Sequence, residues 1–449
     1  MDTLGFFRGM VAAQKKGSAV GVCSICSAHP LVVEAALAHA QRAGGPVRGY
    51  PFGQSAVLIE STVNQVNQLG GYTGMTPRDF RAFIESGAAS AGFPPDRIIL
   101  GGDHLGPYPW RTRPSGEAMS LAHGLVAACV RAGYSKIHLD ASMPLCGDPV
   151  DGAGGLDPRL AAQREAELAQ TAETAFREYA GSHPDACPPV YVIGTEVPAP
   201  GGMGSGHEGT DVTDPREFLQ TVSLCEEAFR SRGLAGAWDR VIACVAQPGV
   251  EYADRSVHRY NRALAEPLCR TARSTRGLVI EGHSTDYQSA ASLRELVEDG
   301  IAILKVGPAL TFAMRECLFG LELIERELVP PHGGRRLSLL AETLDRAMLE
   351  NPEHWKSYYA GSEEQEQLSR KYSFSDRSRY YWAVPAVQKS LGVLMANLRA
   401  IEIPLPLLSQ YLPLQYRGVI EGRCGSDPDT LVRRSIIAVL EDYASATGS

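Results

Sequence analysis

Eight short, apolar, β-rich runs recur along the chain, each followed by a longer segment with helical periodicity, and no other feature limits the fold as strongly. The runs are Ser18 to Ser24, Ala56 to Glu60, Ile98 to Gly102, Lys136 to Asp140, Tyr191 to Glu196, Val241 to Ala246, Leu278 to Glu281 and Ala302 to Val306. Parallel strands joined by crossover helices produce this alternation, and eight is the number that closes a barrel. An open doubly wound sheet is the competing arrangement. It would carry a Gly-rich dinucleotide fingerprint after an early strand, which this sequence lacks. The expected fold is therefore an α/β chain built on a (β/α)₈ barrel.

With 449 residues the chain exceeds the barrel itself, and the surplus follows the eighth run. "LVPPHGGRRLS", Leu328 to Ser338, breaks the pattern, and beyond it the periodicity is mostly helical. The expected division is a barrel over 1–330 and a helical extension over 331–449 packed on it. Two segments of that extension, "YSFSDRSRYYW" (Tyr372 to Trp382) and "PLPLLSQYLPLQY" (Pro404 to Tyr416), are too aromatic and Pro-rich for a loose tail. They are expected against the barrel, over its mouth.

Composition excludes some roles. A net charge of -8 repels nucleic-acid backbones and anionic membranes. No apolar run reaches the roughly 18 residues of a membrane span. The ten cysteines show no disulfide framework and the N-terminus no signal-peptide pattern, so a reducing cytoplasm is expected. Cys23 and Cys26 form a C-x-x-C without a second pair at zinc-ribbon spacing, which favours packed core residues.

Polar residues gather where the runs end, the rim on which barrel active sites are built. "GGDHLGP" places Asp103 and His104 after the third run, where imidazole can bind a divalent metal and the carboxylate can move protons; an Asp-His helix cap is the structural alternative. "EGHSTDYQ" places His283 after the seventh run, across the mouth from His104. Further donor candidates are Glu196 in "IGTEVPAPGG", His207 in "GSGHEG", and Gln247 and Glu251 in "AQPGVEY". Glu60, Asn64 and Gln65, Asp140 and Ser142, and Ser24 and Ser27 give the rim the convergent polar groups that a polyhydroxylated ligand needs. In "ILKVGPALTF", Lys305 and the Gly307 backbone meet a helix start where barrels often hold a phosphate, with Ser284 and Thr285 completing the cradle. The alternative for Lys305 is a buried pairing with Glu281. No P-loop occurs, which leaves a kinase of that type unsupported.

These residues sit in strings that resemble the GatZ/KbaZ family of tagatose-1,6-bisphosphate aldolase subunits over nearly the whole chain. The strings are "CSAHPLVVEAA", "NQVNQLGGYTGMTP", "GGDHLGP", "KIHLDASM", "IGTEVPAPGG", "QPGVEY", "HSTDYQ", "LKVGPALTFA", "SDRSRYYW" and "LSQYLP". The resemblance implies a fold similar to class II metal-dependent aldolases, with Asp103 as acid/base, His104 and His283 as ligands of a divalent ion such as zinc or manganese, and Gln247 or Glu251 as the third. It implies carbohydrate metabolism, in one of two roles. One is a 4-epimerase interconverting tagatose 6-phosphate and fructose 6-phosphate, with Asp103 or Glu196 taking the C4 hydroxyl proton. The other is a non-catalytic subunit supporting a separate aldolase, and the older label of tagatose-6-phosphate kinase also belongs to the family. Association with an aldolase subunit, or with copies of itself, is left open.

Overall fold

The computed structural model describes residues 2–43, 56–152, 154–194, 211–329 and 335–448. Glu196 and His207 lie outside these residues. Among the described residues there are ten strands: β1 (Val22–Cys26), β2 (Val57–Thr62), β3 (Ile98–Leu105), β4 (Lys136–Leu139), β5 (Val190–Ile193), β6 (Val241–Val245), β7 (Glu251–Tyr252), β8 (Val257–His258), β9 (Val279–Gly282) and β10 (Ile301–Val306). Eight of them form a closed barrel in the order β1-β10-β9-β6-β5-β4-β3-β2, all parallel, while β7 and β8 make a small antiparallel hairpin after β6. The expected (β/α)₈ barrel is what forms, with β9 and β10 as its seventh and eighth strands. Several strands begin or end a few residues from the expected positions. Tertiary pairing, rather than local propensity, decides where a ladder starts.

The barrel interior is layered. Its floor is apolar: Val22, Leu58, Ile99, Val190, Val192, Ala243, Val279 and Ile303 meet Phe6, Phe7, Met10 and Val11 of the N-terminal helix Thr3–Lys15, which closes the bottom. Above the floor lies a layer of charge that the apolar runs did not announce. Lys136, Glu60 and Glu281 are each 0% exposed, with the Lys136 ammonium 2.6 Å from Glu60 Oε1 and 2.8 Å from Glu281 Oε2. The second, larger core fills the space between the strands and the helical ring.

The region after residue 334 is helical, and part of it completes that ring. The last helix, Pro428–Thr447, packs against Pro30–Ala43, Ala290–Glu298 and Pro308–Leu328. Tyr443 on it donates to the Thr285 carbonyl at 2.8 Å. "PLPLLSQYLPLQY" forms two short helices, Leu405–Tyr411 beside Pro308–Leu328 and Pro413–Ile420 beside the last helix. "YSFSDRSRYYW" instead reaches the mouth, where Arg379 and Tyr380 line the cavity. Among the described residues no helix is long and apolar enough to cross a membrane.

Candidate metal centre and sugar site

Three imidazoles face one another at the C-terminal end of the barrel. The ring centres of His104 and His138 are 5.0 Å apart, those of His104 and His283 4.9 Å, and those of His138 and His283 5.2 Å. One donor atom from each of them and one from Asp103 lie within 4.8 Å of one another, and all four residues are buried. If three imidazoles shared one tetrahedral ion at nitrogen distances of about 2.0–2.1 Å, their ring centres would stand roughly 5 Å apart. The observed triangle matches that requirement. His138 Nε2 is buried with no hydrogen-bond partner among the described residues, as expected of a nitrogen whose proper partner is a cation. The donor set therefore fits a divalent metal with nitrogen preference.

Local backbone brings these groups together. Asp103 and His104 are consecutive, and in a regular strand they would face opposite sides. The register of β3 on β4 shifts between Gly102 and Leu105, and His104 takes a left-handed φ of 50°. Both side chains consequently reach the mouth, a strained arrangement of the sort that clusters at functional sites. Ser284, directly after His283, is left-handed too, at φ 51°. Gly106 meets this turn from outside: a Cβ there would lie 1.6 Å from the Asp140 carbonyl, so only glycine fits.

Each imidazole has a carboxylate neighbour. Asp140 Oδ2 lies 2.8 Å from His104 Nδ1, and Ser142 Oγ donates to Asp140 Oδ1 at 2.7 Å. Asp103 Oδ1 is 2.9 Å from His138 Nδ1, and Glu281 Oε1 is 3.0 Å from His283 Nε2. Carboxylates behind imidazoles fix ring orientation and raise basicity in metal sites. Burial alone would raise the Asp103 carboxyl, but His104, Lys305 and His138 outweigh it and hold it well below the usual carboxylate range. Asp103 is thus held as an anion.

Asp103, His104, His283, Ser284, Asp140, Asn64, Gln65, Ser27, Lys305 and Gly307 all line one cavity of about 1080 Å³ that opens to solvent. Other expected residues are engaged elsewhere. Gln247 Oε1 accepts from the amides of Gly249 and Val250, at 2.9 and 3.0 Å, which folds the turn after β6. Glu251 is buried in the β7–β8 hairpin, its Oε1 accepting from Tyr252 N at 2.9 Å. The third imidazole of the cluster is His138, in place of Gln247 or Glu251. Glu60 lies beneath the cavity, paired with Lys136, so it braces the floor of the site. Gly101 permits this: a Cβ at that position would lie 2.7 Å from Glu60 Cγ.

The expected phosphate cradle is already filled. The Gly307 and Ala309 amides donate to Asp286 Oδ1 at 3.0 and 2.8 Å. Thr285 Oγ1 donates to the Lys305 carbonyl at 2.6 Å, turned from the mouth. Lys305 Nζ contacts Asp103 and lies 3.4 Å from Glu281 Oε1 and 3.6 Å from Glu60 Oε2, so the carboxylate pairing accounts for it. Cys23 packs in the outer core, whereas Cys26 lines the cavity with its thiol 3.8 Å from Asp103 Oδ2. No disulfide joins them.

His138 was within reach of sequence reasoning. Lys136, His138 and Asp140 alternate along β4, and a period of two puts all three on the inner face. Asp286, Tyr72, Tyr108 and Arg379 carried no comparable signal, since loops and the distant extension bring them to the rim.

Residues 7–448 match the family described as D-tagatose-1,6-bisphosphate aldolase subunit GatZ/KbaZ-like. The chain belongs to the GatZ/KbaZ-like family. It is 45% identical over 434 residues, 97% of this chain and 98% of the relative, to the D-tagatose-1,6-bisphosphate aldolase subunit GatZ of Escherichia coli (strain SMS-3-5 / SECEC). A crystal structure of a probable tagatose 6 phosphate kinase from Sinorhizobium meliloti 1021 shares 44% identity with this GatZ/KbaZ-like chain. It superposes with a TM-score of 0.83, covering 95% of this chain and all of the other.

Proposed function

We propose that this GatZ/KbaZ-like protein inverts C4 of a ketose phosphate, interconverting tagatose 6-phosphate and fructose 6-phosphate with a divalent metal. The observation that carries the reading is the triangle of buried imidazoles beside Asp103, with Asp103, His104 and His283 lining a cavity that opens to solvent. Such buried polar groups are costly to desolvate and usually mark function. The family's carbohydrate context supplies the substrate class.

His104, His138 and His283 would hold the cation, which acts when bound as a Lewis acid on the ketose oxygens. The rest follows from the chain and the substrate. The C4 hydrogen lies β to the C2 carbonyl and its removal gains no enolate stabilisation, so inversion requires the C3 to C4 bond to break. Asp103 accepts the C4 hydroxyl proton, that oxygen becomes an aldehyde, and the bonding pair of C3 to C4 passes toward C2 as an enediolate. The aldehyde turns, C3 attacks its opposite face, and Asp103 returns the proton. Arg379 and Tyr380 of the extension roof the cavity, which helps to retain the fragment between the two half-reactions.

Purified protein with fructose 6-phosphate and a divalent metal should form tagatose 6-phosphate, and Asp103→Asn should lower turnover by orders of magnitude while the fold persists. The relative's name describes an aldolase subunit. Absence of product with several metals, together with activation of an added class II aldolase, would replace this reading with a supporting role.

A further inference from the structure

We propose that Arg379, carried in from the C-terminal extension, is the residue that binds the phosphoryl group of the ketose phosphate, a role that rests on the substrate class proposed above. The usual anion position in a barrel, the helix start after the last strand, is closed here because Asp286 takes the Gly307 and Ala309 amides. A phosphate placed there would meet like charge. Lys305 is surrounded by Asp103, Glu281 and Glu60. Of the lysine and arginine side chains lining the cavity among the described residues, Arg379 alone makes no ion pair with a carboxylate.

The guanidinium is set in place before any ligand arrives. Arg379 lies in the 3₁₀ turn Arg377–Tyr380. Its Nη1 donates to the Ser375 and Asp376 carbonyls, its Nη2 donates to Tyr380 Oη at 3.1 Å, and its plane sits 4.6 Å from the Tyr380 ring centre. These bonds use three of the five N–H groups of an arginine, leaving two for oxyanion recognition.

The turn is anchored to the barrel through Asp376, whose backbone is left-handed at φ 42°. Thr311 Oγ1 donates to Asp376 Oδ2 at 2.5 Å, and Arg315 Nε and Ser378 Oγ donate to Oδ1 at 3.2 and 2.7 Å. Strained backbone held by so many contacts keeps Arg379 at the mouth, so little ordering cost remains at binding. The sugar would thus lie with its reacting carbons toward the imidazoles and its phosphate under the extension.

Calorimetric titration of the metal-loaded full chain with fructose 6-phosphate, fructose and inorganic phosphate tests the assignment. Arg379→Gln should weaken fructose 6-phosphate and inorganic phosphate at least tenfold while fructose binding changes less than twofold. Arg379→Lys, which keeps charge but loses the fork, should fall between and serves if Arg379→Gln does not fold. Unchanged phosphate affinity in a folded variant, or equal affinity of the unaltered protein for fructose and fructose 6-phosphate, would overturn it. Tight Arg379-dependent binding without turnover would uphold the site and sink the epimerase reading. Turnover with an unchanged KM in Arg379→Gln would do the reverse.

Discussion

Replacing Lys136 by Met probes the buried charge layer on which the site rests. The ammonium is fully buried and bridges Glu60 and Glu281 at 2.6 and 2.8 Å. Removing it leaves two buried carboxylates with Lys305 as the remaining ammonium, 3.6 Å from Glu60 and 3.4 Å from Glu281, and Lys305 already contacts Asp103. Breaking a buried pair from one side costs about 3–5 kcal/mol, a large share of the roughly 5–15 kcal/mol that holds a typical native protein folded. The sign of the pH dependence gives a sharper test. Burial would raise the Glu281 carboxyl, but Lys136 and Lys305 hold it well below its ordinary value, so in the native protein it contributes stability above the unfolded Glu pKa of about 4.3 that is lost on acidification. With one cation fewer, burial wins, a proton is retained by the folded state above pH ~4.3, and stability falls as pH rises. Urea denaturation followed by circular dichroism at pH 5.5 and 7.5 should show Lys136→Met least stable at 7.5 and partly recovered at 5.5. Adding Glu281→Gln should restore much of the loss at 7.5. A variant within about 1 kcal/mol of the native protein at 7.5, with the same pH trend, would refute the reasoning.

Two further outcomes follow from particular contacts. Asp140→Asn loosens the carboxylate behind His104 Nδ1 and should lower divalent-metal affinity about 10–100-fold in competition with a chromophoric chelator, with little effect on melting of the metal-free protein. Glu165 is buried against Cys225, and burial pushes its carboxyl up to about 8. Its folded state therefore keeps a proton that the unfolded chain loses near pH ~4.3, and this group should contribute a loss of about 1.4 kcal/mol per pH unit from there up to about pH 8, a slope that Glu165→Gln removes in urea titrations.

Much of this architecture could be read in advance, and the reasons differ by element. The barrel was legible because each strand is a compact apolar run with a helix behind it, and closure follows from their number. Asp103, His104 and His283 were legible because they stand at strand ends beside glycines. His138 lies inside a strand, where an imidazole reads as core unless the alternation with Lys136 and Asp140 is followed. The charge layer was hidden for a related reason: Lys136, Glu60 and Glu281 come from three strands, and only the closed barrel makes them neighbours. The phosphate cradle drawn at Lys305 and Gly307 missed Asp286, two residues past Ser284, which reaches the same amides first. Arg379 is some seventy residues beyond the last strand, and nothing local in "SDRSRYYW" says which wall it meets.

The proposed chemistry requires three imidazoles to share one cation. Titrating metal-free protein with Co²⁺, followed by visible absorption and calorimetry, should give one equivalent with a nitrogen-ligated spectrum, and His104→Ala, His138→Ala and His283→Ala should each lose it. Binding at native strength and with an unchanged spectrum in His138→Ala would contradict the assignment.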